Sequence, residues 1–183
     1  MKQISNAEAA LLGLLSEGPK HPYQLEKDVQ QRSMRVWTDL SMSSIYKLLR
    51  KLERDKLVKS KAEISAGNRT RKTYRLTAAG AKSLEAQLKQ LLTTFEPRKY
   101  PLHIALSNLD QLTLGDARAC LASYQEELRK SVAGYRDLEA YLIQDGCPRH
   151  RQHLALHPIY LLEGELRWVT DYLTELERAE SPS

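Results

Sequence analysis

The chain has 183 residues, enough for one well-filled core or two small ones, and its composition, 42% hydrophobic and 28% charged, excludes a disordered or low-complexity protein. Its apolar runs are too short for a membrane span or a signal-peptide core, so we expect a cytoplasmic protein. Two cysteines, Cys120 and Cys147, are too few for a disulfide scaffold and indicate reduced thiols.

Charge is divided unevenly along the chain. Residues 1–92 hold 18 Lys and Arg against 9 Asp and Glu, a net +9, whereas residues 93–183 hold 10 against 14, a net −4. A basic half joined to an acidic half suggests that the first half meets a polyanion and the second has another task. Prolines interrupt the helical pattern near the middle, which predicts a first domain at 1–94, a linker at 95–101 and a second domain at 102–183.

Two helices are predicted at the start of the chain. Ser5 lies three residues before Glu8, a spacing typical of a capping box, and an apolar stripe follows it. A second helix is predicted at 22–31, because the proline that opens it is tolerated in a first helical turn. We expect Trp37, which follows this helix, to lie in the core.

A third helix is predicted in the segment SSIYKLLRKLER. Ile45, Leu48, Leu49 and Leu52 recur at helical spacing and are expected in the core. The opposite face mixes a hydroxyl, an aromatic ring and cations: Ser43, Tyr46, Lys47, Arg50, Lys51 and Arg54. Such a face is typical of a surface that meets a polyanion, although for this helix alone a merely solvated face stays the alternative.

A β-hairpin and a fourth helix follow. The segments LVKSKAEI and RKTYRL have the alternation typical of strands, and the turn between them contains Gly67 and Asn68, which tolerate positive φ. Eleven basic residues against three acidic ones lie between positions 43 and 75, so the hairpin extends the basic surface. The fourth helix is capped by Thr77. Its leucines are expected to point inward: Leu84, Leu88, Leu91 and Leu92.

Three helices, a basic hairpin and a closing helix predict a winged helix-turn-helix, whose third helix enters the DNA major groove and whose hairpin is the wing. The same region resembles the PadR-like family of transcriptional regulators. The resemblance rests on Gly18 with HPYQL, on SSIYKLLRKLERDKLV and on RKTYRLTAAG, and it covers most of residues 5–92. The family usually has Gly where this chain has Lys56, and Gly or His where it has Ser43.

By this resemblance, Tyr46 is the recognition-helix tyrosine at the DNA-facing surface; a ring that only covers the core is the alternative. The N-terminal turn of the helix is expected nearest the base edges, and the later turns on phosphates. These two groups are Ser43, Ser44 and Lys47, then Arg50, Lys51 and Arg54. The wing is expected to reach an adjacent minor groove or its phosphates through Arg69, Arg71 and Lys72.

The second half is predicted to form a homodimer, because a lone winged helix makes too few contacts to select one site in a genome. Two stripes with heptad-like spacing are expected to form the interface. The first stripe contains Leu121, Tyr124, Leu128, Tyr135, Leu138 and Leu142, and the second contains Leu162, Leu166, Val169, Leu173 and Leu176. The alternative is an intramolecular helical hairpin, broken at 146–148, that buries both stripes in itself.

The resemblance extends more loosely to this half. Its length is that of the longer PadR-like subgroup, whose C-terminal helices clasp the partner subunit. The segment LRWVTDYL is similar to that subgroup's last helix, with Trp168 in the characteristic position. We assign Trp168 to the dimer core, and stacking on a small planar effector, as in some relatives, is the alternative.

One group of residues has metal-ligand chemistry: Cys147, His150, His153 and His157. Prolines bracket the group and no supporting carboxylate is evident, so we predict a solvated helix start, with no metal and no cofactor. A metal-responsive regulator is the alternative.

The predicted fold is mainly α with a small β-hairpin wing, an N-terminal winged helix-turn-helix followed by long dimerisation helices. Phosphate loops, nucleophile elbows and paired carboxylates are missing from the sequence, so we predict that the chain is not an enzyme. The predicted function is sequence-specific transcriptional repression by a homodimer on a palindromic DNA operator. A small-molecule effector is expected to release the homodimer from this operator. The main alternative is a protein-interaction module whose winged helix docks onto an acidic protein surface.

Overall fold

The computed structural model describes residues 3–64, 70–97 and 99–180. The first half contains the helices α1 (Asn6–Ser16), α2 (Pro22–Gln31) and α3 (Met42–Arg54), the strands β1 (Val58–Ile64) and β2 (Thr70–Leu76), and the helix α4 (Ala78–Thr93). A short 3₁₀ helix, Met34–Val36, lies between α2 and α3. The predicted order of elements is confirmed, while the predicted turn at Gly67 and Asn68 lies outside the described residues.

Side chains that satisfy free backbone amides set the starts of the first two helices. At α1, the Ser5 Oγ accepts a hydrogen bond from the N–H of Glu8 at 3.3 Å, and the Glu8 carboxylate accepts one from the N–H of Ser5 at 2.8 Å. The predicted capping box is therefore confirmed. The helix α2 begins at Pro22, behind His21, whose Nδ1 accepts a hydrogen bond from the N–H of Gln24 at 3.1 Å.

The core of the first half lies between its helices and the base of the hairpin. The strands pair antiparallel, with Val58 opposite Leu76 and Ser60 opposite Tyr74, and Val58 and Tyr74 are buried. The largest fully buried side chains of this core include Leu11, Leu12, Leu25, Val29, Leu40, Ile45, Leu49, Leu52 and Val58.

Two expectations about this core are wrong. Trp37 is 53% exposed, because the 3₁₀ turn before it directs Met34 inward instead. On α4, Leu84 packs against the core, but Leu88, Leu91 and Leu92 are exposed. Gln87 is the last buried side chain of that helix, so its final turns extend past the core.

The second half contains α5 (Leu102–Leu106), a 3₁₀ helix (Leu109–Gln111), α6 (Leu114–Gln144) and α7 (Arg149–Glu180). The long helices α6 and α7 pack side by side. They run antiparallel, since Arg118 pairs with Glu177 and Arg136 pairs with Glu163. The break predicted at 146–148 separates them and is confirmed.

Contacts within the chain separate two compact units, Met1–Pro97 and Arg98–Ser183. The change of unit falls in the stretch 95–101, and the assignment of 1–94 and 102–183 as separate domains stays a prediction. Within the described part of the chain, no helix combines the length and the apolar composition needed to cross a membrane.

Candidate nucleic-acid interface

The outward side of α3 carries most of the side chains predicted to meet DNA. Ile45, Leu49 and Leu52 are fully buried, so the residues on the other side of the helix face solvent. Spaced three or four residues apart, they form one strip. We call this strip the α3 face; it consists of the exposed residues Ser43, Tyr46, Lys47, Arg50 and Arg54. Tyr46 is 43% exposed, so its ring is available to a ligand.

Ser44, predicted to lie near base edges, instead caps the helix. Its Oγ accepts a hydrogen bond from the N–H of Ser41 at 2.7 Å and donates one to the Ser41 carbonyl at 2.8 Å. The Ser41 Oγ in turn accepts a hydrogen bond from the N–H of Ser44 at 3.2 Å, which completes a capping box. The Ser44 hydroxyl is therefore occupied by the backbone of Ser41, the residue that caps α3.

Lys51, predicted to contact phosphates, turns away from the α3 face toward α1. Its Nζ lies 2.8 Å from the Glu8 Oε1, and Glu8 is 1% exposed. Burial raises the pKa of Glu8, but the hydrogen bonds from Lys51 and Ser5 together hold this pKa below its ordinary value. Lys51 thus compensates a buried charge and ties α3 to α1.

The two faces of the wing carry different side chains, because successive residues of a strand point to opposite sides. The inner wing face shares the side of buried Val58 and contains Ser60, Ala62, Lys72 and Tyr74. The outer wing face contains Lys59, Lys61, Arg71 and Arg75, which are all exposed.

This alternation separates the predicted wing contacts. Arg71 and Lys72 are adjacent in sequence but belong to opposite faces, and Arg69 lies outside the described residues. Lys59 and Lys61 were not among the residues predicted to lie in the interface, although a period of two along each strand groups them with Arg71.

Glu53 joins α3 to both strands of the wing. The Ser60 Oγ donates a hydrogen bond to the Glu53 Oε1 at 2.5 Å, and the Lys72 Nζ lies 3.8 Å from the Glu53 Oε2. Burial raises the pKa of the neighbouring Tyr74, and the Glu53 charge raises it further. Glu53 was not among the predicted site residues; its signal in the sequence is an acid within a basic stretch.

The stripes predicted to meet a partner chain instead pack against each other. Leu121, Leu128 and Val169 form the buried centre of the α6–α7 hairpin. Packed around them are Tyr124, Leu162, Leu166, Tyr172, Leu173 and Leu176. The short connection between the helices brings the two stripes together within one chain, as the intramolecular alternative expects.

A tyrosine adds a polar contact between α6 and α7 beside this core. The Tyr124 hydroxyl donates a hydrogen bond to the Glu165 Oε1 at 2.5 Å. Burial and this hydrogen bond raise the pKa of Tyr124 to about 12. The tyrosine therefore stays protonated at neutral pH and keeps its role as a donor.

A different apolar stripe remains on the surface of α7. Leu154, Leu161 and Trp168 recur every seven residues and are 52%, 44% and 36% exposed. Heptad spacing of apolar side chains is typical of a helix that packs along another. We call these three residues the outer α7 stripe. From the predicted α6 stripe, Leu138 is exposed, whereas Tyr135 and Leu142 are half-buried.

The candidate metal ligands lie at the start of α7. His150, His153 and His157 are on its first turns and are exposed, and Cys147 is half-buried just before the helix. Among the residues that the structure describes, no group of three or more His, Cys, Asp or Glu side chains is placed to hold a metal ion.

Known proteins resemble the chain in sequence over its first half and in fold over nearly all of it. Residues 11–86 match the transcriptional regulator PadR-like family. PadR of Bacillus subtilis in complex with operator DNA aligns with a TM-score of 0.72 and 18% identity, over 92% of this chain and 98% of that one. The same protein in complex with p-coumaric acid gives a TM-score of 0.78 and 16% identity, over 93% and 94%.

The virulence activator AphA of Vibrio cholerae aligns with a TM-score of 0.68 and 22% identity, over 95% of this chain and 99% of that one. No curated protein matches the sequence. At these identities the solved structures establish the winged-helix fold with its long C-terminal helices. The sequence match is confined to residues 11–86, and the family that it matches is one of transcriptional regulators. Over residues 11–86 the chain thus matches the PadR-like family of transcriptional regulators, and over most of its length it shares the fold of solved PadR structures.

Proposed function

We propose that the chain is a sequence-specific DNA-binding repressor that acts in the cytoplasm as a homodimer on a palindromic operator. The observation that carries the proposal is the α3 face, where an exposed aromatic ring and cations project from a helix whose other side is fully buried. A helix of this composition suits the major groove and its flanking phosphates. The solved complex of Bacillus subtilis PadR with operator DNA supports this use of the fold.

Position along α3 suggests a division of roles. Ser43 and Lys47, in the first turns, are assigned to base edges, while Tyr46, Arg50 and Arg54 are assigned to the phosphate backbone. On the wing, Lys72 is assigned to phosphates beside α3. Arg69 and Arg71 are assigned to the adjacent minor groove or its phosphates.

We assign the dimer contact to the outer α7 stripe. A second copy of the chain would cover the exposed side chains of Leu154, Leu161 and Trp168 with the same stripe of its own α7, as two-fold symmetry requires. Pairing two winged helices at a fixed spacing suits an inverted repeat. Such a dimer on a promoter represses by excluding RNA polymerase.

We assign release from DNA to a small-molecule effector that changes the angle between the two winged helices. Bacillus subtilis PadR has been solved in complex with p-coumaric acid, which makes a phenolic acid the first compound to test on this chain. The readout is loss of the preformed operator complex when p-coumaric acid is added.

The proposal is tested by selecting fragments of the host genome on the purified protein at near-physiological salt. The test variant combines Lys47→Ala with Arg50→Ala on the α3 face, and the control combines Lys82→Ala with Lys89→Ala on α4, which removes the same charge. Recovery of a few inverted repeats by the wild type and the control, but not by the test variant, supports a dimeric regulator. Recovery of sequence-blind, salt-sensitive binding, or of no DNA, supports the protein-interaction module instead.

A further inference from the structure

We infer that Glu53 is a positioning residue that fixes the wing against the recognition helix and directs Lys72 toward the DNA backbone. The inference rests on the proposed function, because it concerns how α3 and the wing are presented to one duplex. Glu53 is assigned no contact with DNA.

An acid at the position of Glu53 has a cost for DNA binding. Only three acidic residues accompany eleven basic ones between positions 43 and 75, and the Glu53 side chain is 32% exposed. A carboxylate beside a polyanion opposes binding through repulsion. If a DNA-binding surface retains this carboxylate, the carboxylate must therefore favour binding indirectly, through its contacts within the protein.

The two partners of Glu53 lie on different strands of the wing. Ser60 belongs to β1 and Lys72 to β2, and both lie on the inner wing face. One carboxylate on α3 therefore holds both strands of the hairpin, through the Ser60 hydroxyl at 2.5 Å and the Lys72 ammonium at 3.8 Å. Hydrogen bonds to ionised acceptors are about twice as strong as those between neutral groups.

A two-stranded ribbon needs a contact of this kind to fix its orientation. An isolated hairpin is only marginally stable, and ribbons of two strands twist more variably than larger sheets. Val58, Tyr74 and partly buried Leu76 fix the base of the wing in the core. Glu53 adds a polar contact farther along each strand, at Ser60 and at Lys72, and so limits how the wing tilts relative to α3.

The exposure of Lys72 indicates how its contact with Glu53 favours DNA binding. Its side chain is 58% exposed although its ammonium lies near Glu53, so the charge is held in place on one side and open on the other. A lysine that is partly ordered before binding loses less conformational entropy when it meets a phosphate. The arrangement favours one register of the wing on the duplex.

The test uses the full chain and the operator fragment recovered in the genomic selection, with Glu53→Gln, Ser60→Ala and Lys72→Gln variants. Repulsion alone predicts that Glu53→Gln binds DNA more tightly, because it removes a negative charge. The positioning role predicts the opposite sign, a loss on the order of fivefold, the size expected for one misplaced phosphate contact. The control is Glu85→Gln on α4, which removes the same charge and should not weaken binding.

Two further readouts separate positioning from a general structural role. In a double-mutant cycle, Glu53→Gln should cost little more once Lys72→Gln is present, because both changes remove the same phosphate contact. Hydroxyl-radical footprints should lose the protection given by the wing and keep that given by α3. If Glu53→Gln fails to fold, Ser60→Ala, which deletes only the hydroxyl donor, carries the same footprint prediction.

The outcomes are distinguishable. If the wild type selects an operator and both Glu53→Gln and Ser60→Ala bind it as tightly as the wild type or more tightly, the inference is wrong and the proposed function stands. If the wild type selects no operator, the proposed function is wrong, and the inference that depends on it is wrong as well.

Discussion

Glu8 and Lys51 join α1 to α3 through an ion pair. The Lys51 Nζ lies 2.8 Å from the Glu8 Oε1, on a carboxylate that is 1% exposed although its partner is partly open to solvent. Removing the cation leaves a buried charge without compensation, which costs more than the pair itself contributes. The relationship assigns Lys51 to the stability of the fold rather than to DNA.

The variant Lys51→Met should therefore lower the free energy of unfolding by about 2 kcal/mol, below the range for fully buried pairs because Lys51 is partly solvated. Its DNA affinity should keep the salt dependence of the wild type. The matched change Lys47→Met on the α3 face should do the reverse, with little effect on stability and a salt slope reduced by about one. Urea unfolding and salt titrations of operator binding measure both quantities. If Lys51→Met reduced the salt slope of operator binding without destabilising the fold, Lys51 would be a DNA contact.

The lowered pKa of Glu8 predicts a pH dependence of stability. The folded state favours the ionised carboxylate, so its contribution is fully present above the unfolded pKa, whose ordinary value is 4.5, and is lost as pH falls through the lower folded pKa. The difference in unfolding free energy between the wild type and Glu8→Gln should thus shrink when pH is lowered from 7 to below this window. Chemical denaturation at a series of pH values checks the sign, and a difference that grows toward acid would contradict it.

The capping role of Ser44 predicts a loss of stability on truncation. Ser44→Ala removes the hydrogen bond to the Ser41 N–H and should cost about 1 kcal/mol, whereas the order of preferred operator sequences stays the same. Ser43→Ala, one residue earlier and exposed, is the matched variant and should leave stability nearly unchanged while altering preference. Thermal melts and a repeated genomic selection test both; a changed preference in Ser44→Ala would show that its hydroxyl reads bases.

Lys56 ends α3 in a conformation that favours glycine. Its φ is +60°, and the N–H of Leu57 donates a hydrogen bond to the Leu52 carbonyl at 2.9 Å, as in a Schellman motif. Lys56→Gly should stabilise the chain by about 1 kcal/mol, because a β-carbon is strained there.

Gly146 provides the matched control for this prediction. It ends α6 with the same motif at a φ of +68°. Gly146→Ala should therefore destabilise the chain by a similar amount, about 1 kcal/mol. Melting temperatures that fall for Lys56→Gly would mean that another contact of Lys56 outweighs the strain.

The outer α7 stripe predicts a dimer that one charge disrupts. Leu161→Lys at the middle of the stripe should raise the dimer dissociation constant by at least about tenfold, since a charge would be buried in an apolar contact. Gln144→Lys, at the exposed end of α6, adds the same charge outside the stripe and should leave association unchanged. Sedimentation over a range of concentrations measures this. If Leu161→Lys dimerises like the wild type, the interface lies elsewhere on the chain.

Local patterns were sufficient for the elements of the first half. The capping box of Ser5 and Glu8 and the buried face of Ile45, Leu49 and Leu52 depend on spacings of three and four residues, which an isolated segment already contains. The alternation of the wing is likewise local. The sequence by itself therefore determined the order of helices and strands, the winged helix and the exposed strip of α3.

Only the tertiary structure decided which partner each side chain takes. Lys51 lies at the edge of the α3 face, and its direction depends on Glu8, which is distant in sequence. Glu53 gained its role from Ser60 and Lys72 through the fold of the wing. By heptad spacing alone, the predicted stripes of α6 and α7 fit equally well against a partner chain or against each other. Their burial within one chain follows from the short connection that returns α7 along α6, because spacing records which residues share a face but not what covers that face.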